Sequence, residues 1–200
     1  HEISGVVIDG DTAWIGKEVI IPAVLPCGEC ELCKKGRSNI CRNQLMPGND
    51  FHGGFASHIR VPSKYLCPVP EDVLKSYSLE LLSVIADAIS TPYQVVKKSE
   101  LEPGDLAIVI GVGGVGVYGA LIAKIAGAKV IALDINEEKL DLAKENGIDA
   151  TVNIRGLDVK GIKGKVKVLV RELKAPETGW KIFEISGTKE GQELAFSLIT

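Results

Sequence analysis

From Leu106 to Ala123 the chain reads "LAIVIGVGGVGVYGALIA", eighteen residues without a charge but with five glycines between Gly111 and Gly119. The length alone would suit a membrane span. The glycines place turn-forming residues in its middle and no second stretch of that length exists, so the pattern predicts a buried strand, a loop and a helix from about Val115 to Ala126. The alternation then continues. "KVIALD" is a strand, "NEEKLDLAKENG" a helix and "ATVNI" a short strand, followed by a helix around Val166 to Leu173, the strand "WKIFEIS" and a helix from about Glu190. Strands and helices in succession predict right-handed crossovers between parallel strands: one half of a doubly wound α/β sheet and the start of the second. A full dinucleotide-binding sheet needs more strands than the sequence supplies before Thr200, so this domain is expected to be C-terminally incomplete.

The pattern before Glu102 is different. Up to about Leu66, Val and Ile are interrupted by Gly and Pro without helical spacing, which predicts short strands and loops. "SLELLSVIADAISTPYQVVKKS" opens on Ser78, a helix-capping residue type, and carries apolar residues at helical spacing, with Pro92 marking a break or a new helix start. The expected division is a first domain over 1–98 and a second over 99–200. No internal repeat or low-complexity segment interrupts either.

Composition adds bounds. The chain is 46% apolar and 24% charged, an ordinary globular balance with material for a core. A formal charge of −3 gives no field to gather nucleic acid or anionic lipid, so neither is an expected partner. No secretion signal or lipidation motif is present in these residues, and a cytoplasmic address is the default expectation. Lys160, Lys163, Lys165, Lys167, Arg171 and Lys174 read as the solvated face of a helix rather than a phosphate site.

Cysteine usage sharpens the picture. "CGECELCKKGRSNIC" places Cys27, Cys30, Cys33 and Cys41 within fifteen residues. Four thiolates with two tight links can close around one tetrahedral Zn²⁺, and four sulfurs leave no open position, so the expectation is a structural zinc. Disulfides, a nucleic-acid zinc ribbon and an iron–sulfur cluster are the alternatives, and ribbons usually split their ligands into two distant pairs. Cys67, at the end of the apolar "KYLCPVP", is expected to be buried and inert.

The glycine-rich turn carries the second chemistry. Gly111, Gly113, Gly114 and Gly116 lie between a predicted strand and helix, where small residues let backbone N–H groups approach a pyrophosphate. Asp134 ends the next strand, 23 residues after Gly111, where a carboxylate can accept from both ribose hydroxyls and repel a 2′-phosphate. NAD is therefore the expected coenzyme.

These two features in this order resemble the zinc-containing medium-chain dehydrogenase family, the relatives of alcohol dehydrogenase. The markers are His1-Glu2 as the end of a G-H-E motif, the four-cysteine lobe, "GGFASHIRVP", "GVGGVG" and "DINEEK", and the resemblance covers the whole chain. It implies a partial GroES-like, β-rich catalytic domain followed by a partial Rossmann domain, so the sequence looks like an internal fragment that is inactive alone. It also implies a catalytic zinc beside the structural one, with His1 and Asp87 as ligands and Glu2 as a nearby acid that exchanges with water. The first cysteine ligand of that family would precede residue 1. Asp134 and Lys139 match adenosine-ribose ligands, Thr91 and Val115 lie near the nicotinamide ring, and Ser186 and Gly187 lie beside the coenzyme, all by the same resemblance. His52 and His58 match nothing; His52 is read as a loop residue and His58 as a strand residue, both on a surface or cleft wall. The longer stretches "MPGND", "GGFASH", "LCPVP", "LSVIADAISTPYQ" and "WKIFEISG" resemble a branch of the family that oxidises a ring hydroxyl on a CoA thioester during aromatic degradation. That likeness implies a small-molecule CoA-thioester substrate and a homo-oligomer, dimer or tetramer. A simple-alcohol or polyol dehydrogenase of the same family, or a non-catalytic NAD- and zinc-binding module, are the other readings.

Overall fold

The computed structural model of the chain describes residues 1–199, and they form two compact units that divide after Ser90. The first opens with β1 (Ile3–Val6) and β2 (Glu18–Ile21), antiparallel with Ile3 opposite Ile21 and Val6 opposite Glu18. A short helix α1 (Glu31–Lys34) follows within the cysteine lobe. β3 (Cys67–Pro68) then completes a three-stranded sheet by pairing with Val19 and Ile20 of β2. α2 (Glu71–Leu74) and a 3-10 helix, Leu81–Ala86, pack beside it, with Leu82 and Ala86 burying against Ile20.

The helical pattern that begins at Ser78 does not give one helix. The 3-10 helix ends at Asp87, in a non-helical backbone conformation, and α3 (Ser90–Lys98) starts three residues later. The amide of Ala88 donates to the carboxylate of Glu2 at 2.9 Å instead of to a helical carbonyl. Pro92 brings no N–H of its own, so it sits in the first turn of α3, where none is needed. Two expectations fail in this unit. Cys67 is exposed, because the two-residue strand that holds it leaves its thiol in solvent. His58 lies outside any strand, in an irregular stretch before the 3-10 turn Ser63–Tyr65, with its ring against the Ser57 hydroxyl at 3.1 Å.

After α3, which falls almost wholly in it, the second unit alternates strictly: β4 (Leu106–Ile110), α4 (Gly114–Ile125), β5 (Lys129–Asp134), α5 (Glu137–Glu145), β6 (Ala150–Asn153), α6 (Val159–Glu172), β7 (Lys181–Glu184) and α7 (Lys189–Leu198). All four strands are parallel in the order β6-β5-β4-β7, so β4 is central and the chain reverses direction across the sheet between β6 and β7. Alternation along β4 sorts the two faces. Ala107 and Val109 face a layer with Val96, Ala120, Ala123, Leu140 and Ala143, while Leu106, Ile108 and Ile110 face Ile162, Val166, Val170, Leu194 and Leu198. The first layer is built largely of alanine, which brings α4 close to the strands. Each fully buried Leu, Ile or Val of β4 and β5 contributes about 1.5–3 kcal/mol.

α6 begins at Val159, a full two turns before the expected start. Asp158 caps it by accepting from the amide of Gly161 at 2.8 Å. Gly161, Gly164 and the interspersed lysines dilute the apolar signal there, yet Ile162, Val166 and Val170 form a continuous buried stripe at helical spacing. Among the described residues, no helix is long and apolar enough to cross a membrane.

Candidate functional site

The four cysteines meet. Gly28, at φ +82°, turns the chain after Cys27 in a conformation that a side chain disfavours; Cys30 and Cys33 flank the start of α1, and Cys41 follows a 3-10 turn, Ser38–Ile40. Their sulfurs all lie within 4.8 Å of one another, and four of the separations are 3.5, 3.5, 3.8 and 3.9 Å. Zinc bound at about 2.3 Å by four sulfurs sets them about 3.8 Å apart on the edges of a tetrahedron, so the arrangement fits the ion. Leu25 and Leu45 close the base of the lobe with a pair of backbone hydrogen bonds at 2.8 and 2.9 Å.

The local backbone treats the four thiols unequally. Amides of Glu29 and Cys30 donate to Cys27 and hold its pKa down at about 6 from an ordinary 9.0. Burial dominates at Cys33 and pushes that thiol up to about 12. An ion therefore meets one sulfur already disposed to ionise and another that must surrender its proton on binding.

His1 and Asp87 are brought together from opposite ends of the first unit, with His1 Nε2 2.9 Å from Asp87 Oδ2. The 3-10 helix termination described above is what presents Asp87 to the histidine. Glu2, by contrast, is committed to the Ala88 amide. Among the described residues, the four cysteines are the sole group of three or more clustered metal-binding side chains, so His1 and Asp87 stand as a pair.

In the second unit the glycine-rich turn joins β4 to α4. Gly111 has φ +87°, and a Cβ there would lie 2.7 Å from the Ser186 backbone. Gly116 is equally constrained, because its Cβ would fall on the carbonyl oxygen of Gly111. Gly113 caps α4, while the positions of Gly113 and Gly114 leave room above the helix N-terminus, with Lys139 Nζ reaching to within 4.0 Å of where a Cβ of Gly113 would stand. Val115 is half-buried in the first turn of α4.

Asp134 is the only buried polar or charged side chain in the core of the described residues, at 8% exposure. Its Oδ2 accepts from the Val112 amide at 2.8 Å and its Oδ1 from the Asn136 amide at 2.9 Å. One carboxylate thus fixes both the glycine-rich turn and the start of α5. Each oxygen retains a lone pair for a further donor, which is what two adjacent ribose hydroxyls provide.

Residues 1–71 match the family model of the alcohol dehydrogenase GroES-like domain, and residues 114–200 match that of the zinc-binding dehydrogenases. The chain belongs to the zinc-dependent medium-chain alcohol dehydrogenase family. An alcohol dehydrogenase of Geobacillus stearothermophilus is 30% identical over 201 residues, covering 94% of this chain and 58% of that protein. Among solved structures, galactitol-1-phosphate dehydrogenase from Escherichia coli aligns with a TM-score of 0.85 at 28% identity, over 100% of this chain and 56% of its own. The alcohol dehydrogenase of Aeropyrum pernix aligns with a TM-score of 0.73 at 34% identity, over 86% of this chain and 50% of its own. The chain therefore spans about half the length of these medium-chain dehydrogenases.

Other residues expected from the family likeness are placed as follows. Ser186 and Gly187 follow β7, with Ser186 against Gly111 and Gly187 at φ +68°. Thr91 lies exposed in the first turn of α3. Sequence reasoning missed the network around Ser186, whose amide donates to Glu184 at 2.8 Å and whose hydroxyl stands 2.9 Å from that of Thr188, the cap of α7. It also missed Lys64 and Tyr65, which reach back to carbonyls at the entrance of the cysteine lobe. No side-chain pattern announces a partner that is backbone.

Proposed function

We propose that the chain is the catalytic and coenzyme-binding part of an NAD-dependent, zinc-assisted alcohol dehydrogenase. The observation that carries this reading is Asp134, a buried carboxylate at the end of β5 held against the glycine-rich turn by its bond to the Val112 amide. A carboxylate there favours a ribose with two free hydroxyls and opposes a 2′-phosphate, hence NAD over NADP. The positive end of α4, with the open positions of Gly113 and Gly114, suits the pyrophosphate. Lys139 assists at the adenosine ribose, Thr91 and Val115 border the nicotinamide, and Ser186 and Gly187 border the coenzyme beside Gly111.

His1 and Asp87 are the proposed holders of a catalytic zinc, with Glu2 as its neighbouring acid, and the four cysteines hold a structural one. When bound, the catalytic zinc supplies Lewis acidity toward the substrate oxygen and the nicotinamide accepts the hydride. The chain's own part is positional. Asp87 and His1 stay aligned because Glu2 pins the Ala88 amide directly after Asp87. The cysteine lobe leaves no ligand position open and serves structure.

The proposed substrate is the ring hydroxyl of 6-hydroxycyclohex-1-ene-1-carbonyl-CoA, oxidised to the 6-oxo compound in anaerobic degradation of aromatics, by a cytoplasmic homo-oligomer. The stretches "MPGND", "LSVIADAISTPYQ" and "WKIFEISG" support that reading. A polyol substrate is the second reading, favoured by the carboxylate at position 87 and by the likeness to a galactitol-1-phosphate dehydrogenase. NADH absorbance in the whole protein, with the CoA thioester and a sugar alcohol offered separately, decides between them. Turnover of neither, with NADH binding intact, would remove both substrates; failure to bind NADH would remove the coenzyme reading itself.

A further inference from the structure

The peptide groups 26–27 and 27–28 enter the cysteine lobe with both of their ends occupied. On the outer side, the Tyr65 hydroxyl donates to the Pro26 carbonyl and Lys64 Nζ donates to the Cys27 carbonyl at 3.1 Å. On the inner side, the Cys27 amide donates to Cys41 Sγ at 3.4 Å, and the Gly28 amide lies near enough to Cys33 Sγ to favour its thiolate form. A trans peptide is planar, with its C=O and N–H pointing in opposite directions, so each outer donor and inner acceptor lie in line through one amide. A donor on the carbonyl polarises the amide and strengthens the bond that its N–H gives. Two parallel relays result: Tyr65 through peptide 26–27 to Cys41, and Lys64 through peptide 27–28 to Cys33.

The surroundings are shaped for this. Lys64 Nζ sits 4.7 Å above the Tyr65 ring, which fixes the ammonium beside the hydroxyl. Position 28 is glycine at φ +82°, and a Cβ there would stand 3.2 Å from the Tyr65 hydroxyl and 3.6 Å from Lys64 Nζ. The absent side chain leaves the approach to both carbonyls clear. Four thiolates around a divalent ion carry excess negative charge, and Lys64 is a cation one peptide group away from it.

We propose that Lys64 and Tyr65 form an outer donor pair of the four-cysteine zinc site, acting through these two peptide groups to hold the thiolates of Cys33 and Cys41 and to slow release of the ion. They are positioning residues, since neither touches the metal. The inference rests on the zinc site and not on the dehydrogenase reaction.

The test uses the zinc-loaded chain mixed with an excess of a chromogenic zinc chelator. Lys64→Met and Tyr65→Phe should each release zinc about tenfold faster than the wild type, as loss of outer-shell donors does elsewhere. Lys64→Arg should stay within about twofold, because it keeps the charge and the donor. Lys17→Met, which removes a similar cation lying 4.9 Å over the Trp14 ring, is the matched control and should change nothing. A cobalt-loaded sample adds an electronic readout: the thiolate charge-transfer band should shift in Lys64→Met and Tyr65→Phe, which simple loosening of the lobe would not produce. Release rates and cobalt bands unchanged in both variants, or equal effects from Lys17→Met, would overturn the proposal. Should Lys64→Met emerge without zinc, retention by Lys64→Arg supports the donor role and loss from both refutes it.

Discussion

At the scale of single residues, two positions with fixed geometry set the strongest expectations. Asp134 bonds two amides and, in the proposed function, receives two ribose hydroxyls, so Asp134→Gly should weaken NADH binding about 10–100-fold, the worth of charged hydrogen bonds, and reduce discrimination against NADPH. Fluorescence titration of both coenzymes reads the two effects together. Gly111 has no such reserve: at φ +87° and with Ser186 2.7 Å from a would-be Cβ, Gly111→Ala should cost more than about 1 kcal/mol in denaturant unfolding. The cysteines yield a pH expectation. The metal-free chain should react with iodoacetamide at Cys27 before Cys33, with a rate that climbs through about pH 6, because the thiolate is the nucleophile and Cys27 is ionised above that value. Its lowered pKa also stabilises the metal-free fold; that contribution is complete above the ordinary thiol range near 9.0 and disappears as pH falls through about 6. Peptide mapping by mass spectrometry across pH, with zinc-loaded protein protected, checks both.

At the scale of elements, the sheet order depends on joints as much as on strands. Asp149 precedes β6 and accepts from the Val130 amide at 2.8 Å and from Lys124 at 2.5 Å, joining β5, α4 and β6 at one carboxylate. Asp149→Ala leaves a buried amide and a lysine without that partner and should cost about 2–3 kcal/mol, read as a lowered denaturant midpoint at constant slope. The alternating second unit was readable in the sequence because each strand is a short apolar run bounded by glycine or polar turns, and its helices repeat apolar residues every three or four positions. Where reading failed, the deciding partner was remote or was backbone, or glycines diluted the apolar pattern. Pro92 marked the start of a new helix, but the non-helical turn at Asp87 was not readable, because it involves Glu2, 86 residues from Ala88, which takes the Ala88 amide. The early start of α6 was hidden by glycines within the helix, although Asp158 was available as a cap. The cysteine cluster and Asp134 were legible from spacing, since their chemistry needs only side-chain type and separation. Lys64 and Tyr65 were not, since carbonyl partners leave no trace in the residue types.

At the scale of the whole molecule, the two units should answer differently to loss of metal. Chelation should raise amide hydrogen exchange across the lobe between Leu25 and Leu45, while Leu106–Ile110 and Lys129–Asp134, whose apolar side chains are 0–1% exposed apart from the strand ends, keep their protection. Exchange that rose equally in both would show that the zinc lobe supports the Rossmann sheet as well as its own unit. The reach of Lys64 and Tyr65 back to the lobe also sets an order of events during synthesis. The last of the four sulfurs is in place with Cys41, but the donors at positions 64 and 65 leave the ribosome some two dozen residues later. At roughly 5–20 residues per second that interval is about one to five seconds. During it a nascent chain owns every ligand of its zinc yet lacks the pair that slows exchange, so a wrongly chosen ion can still be traded before the latch arrives.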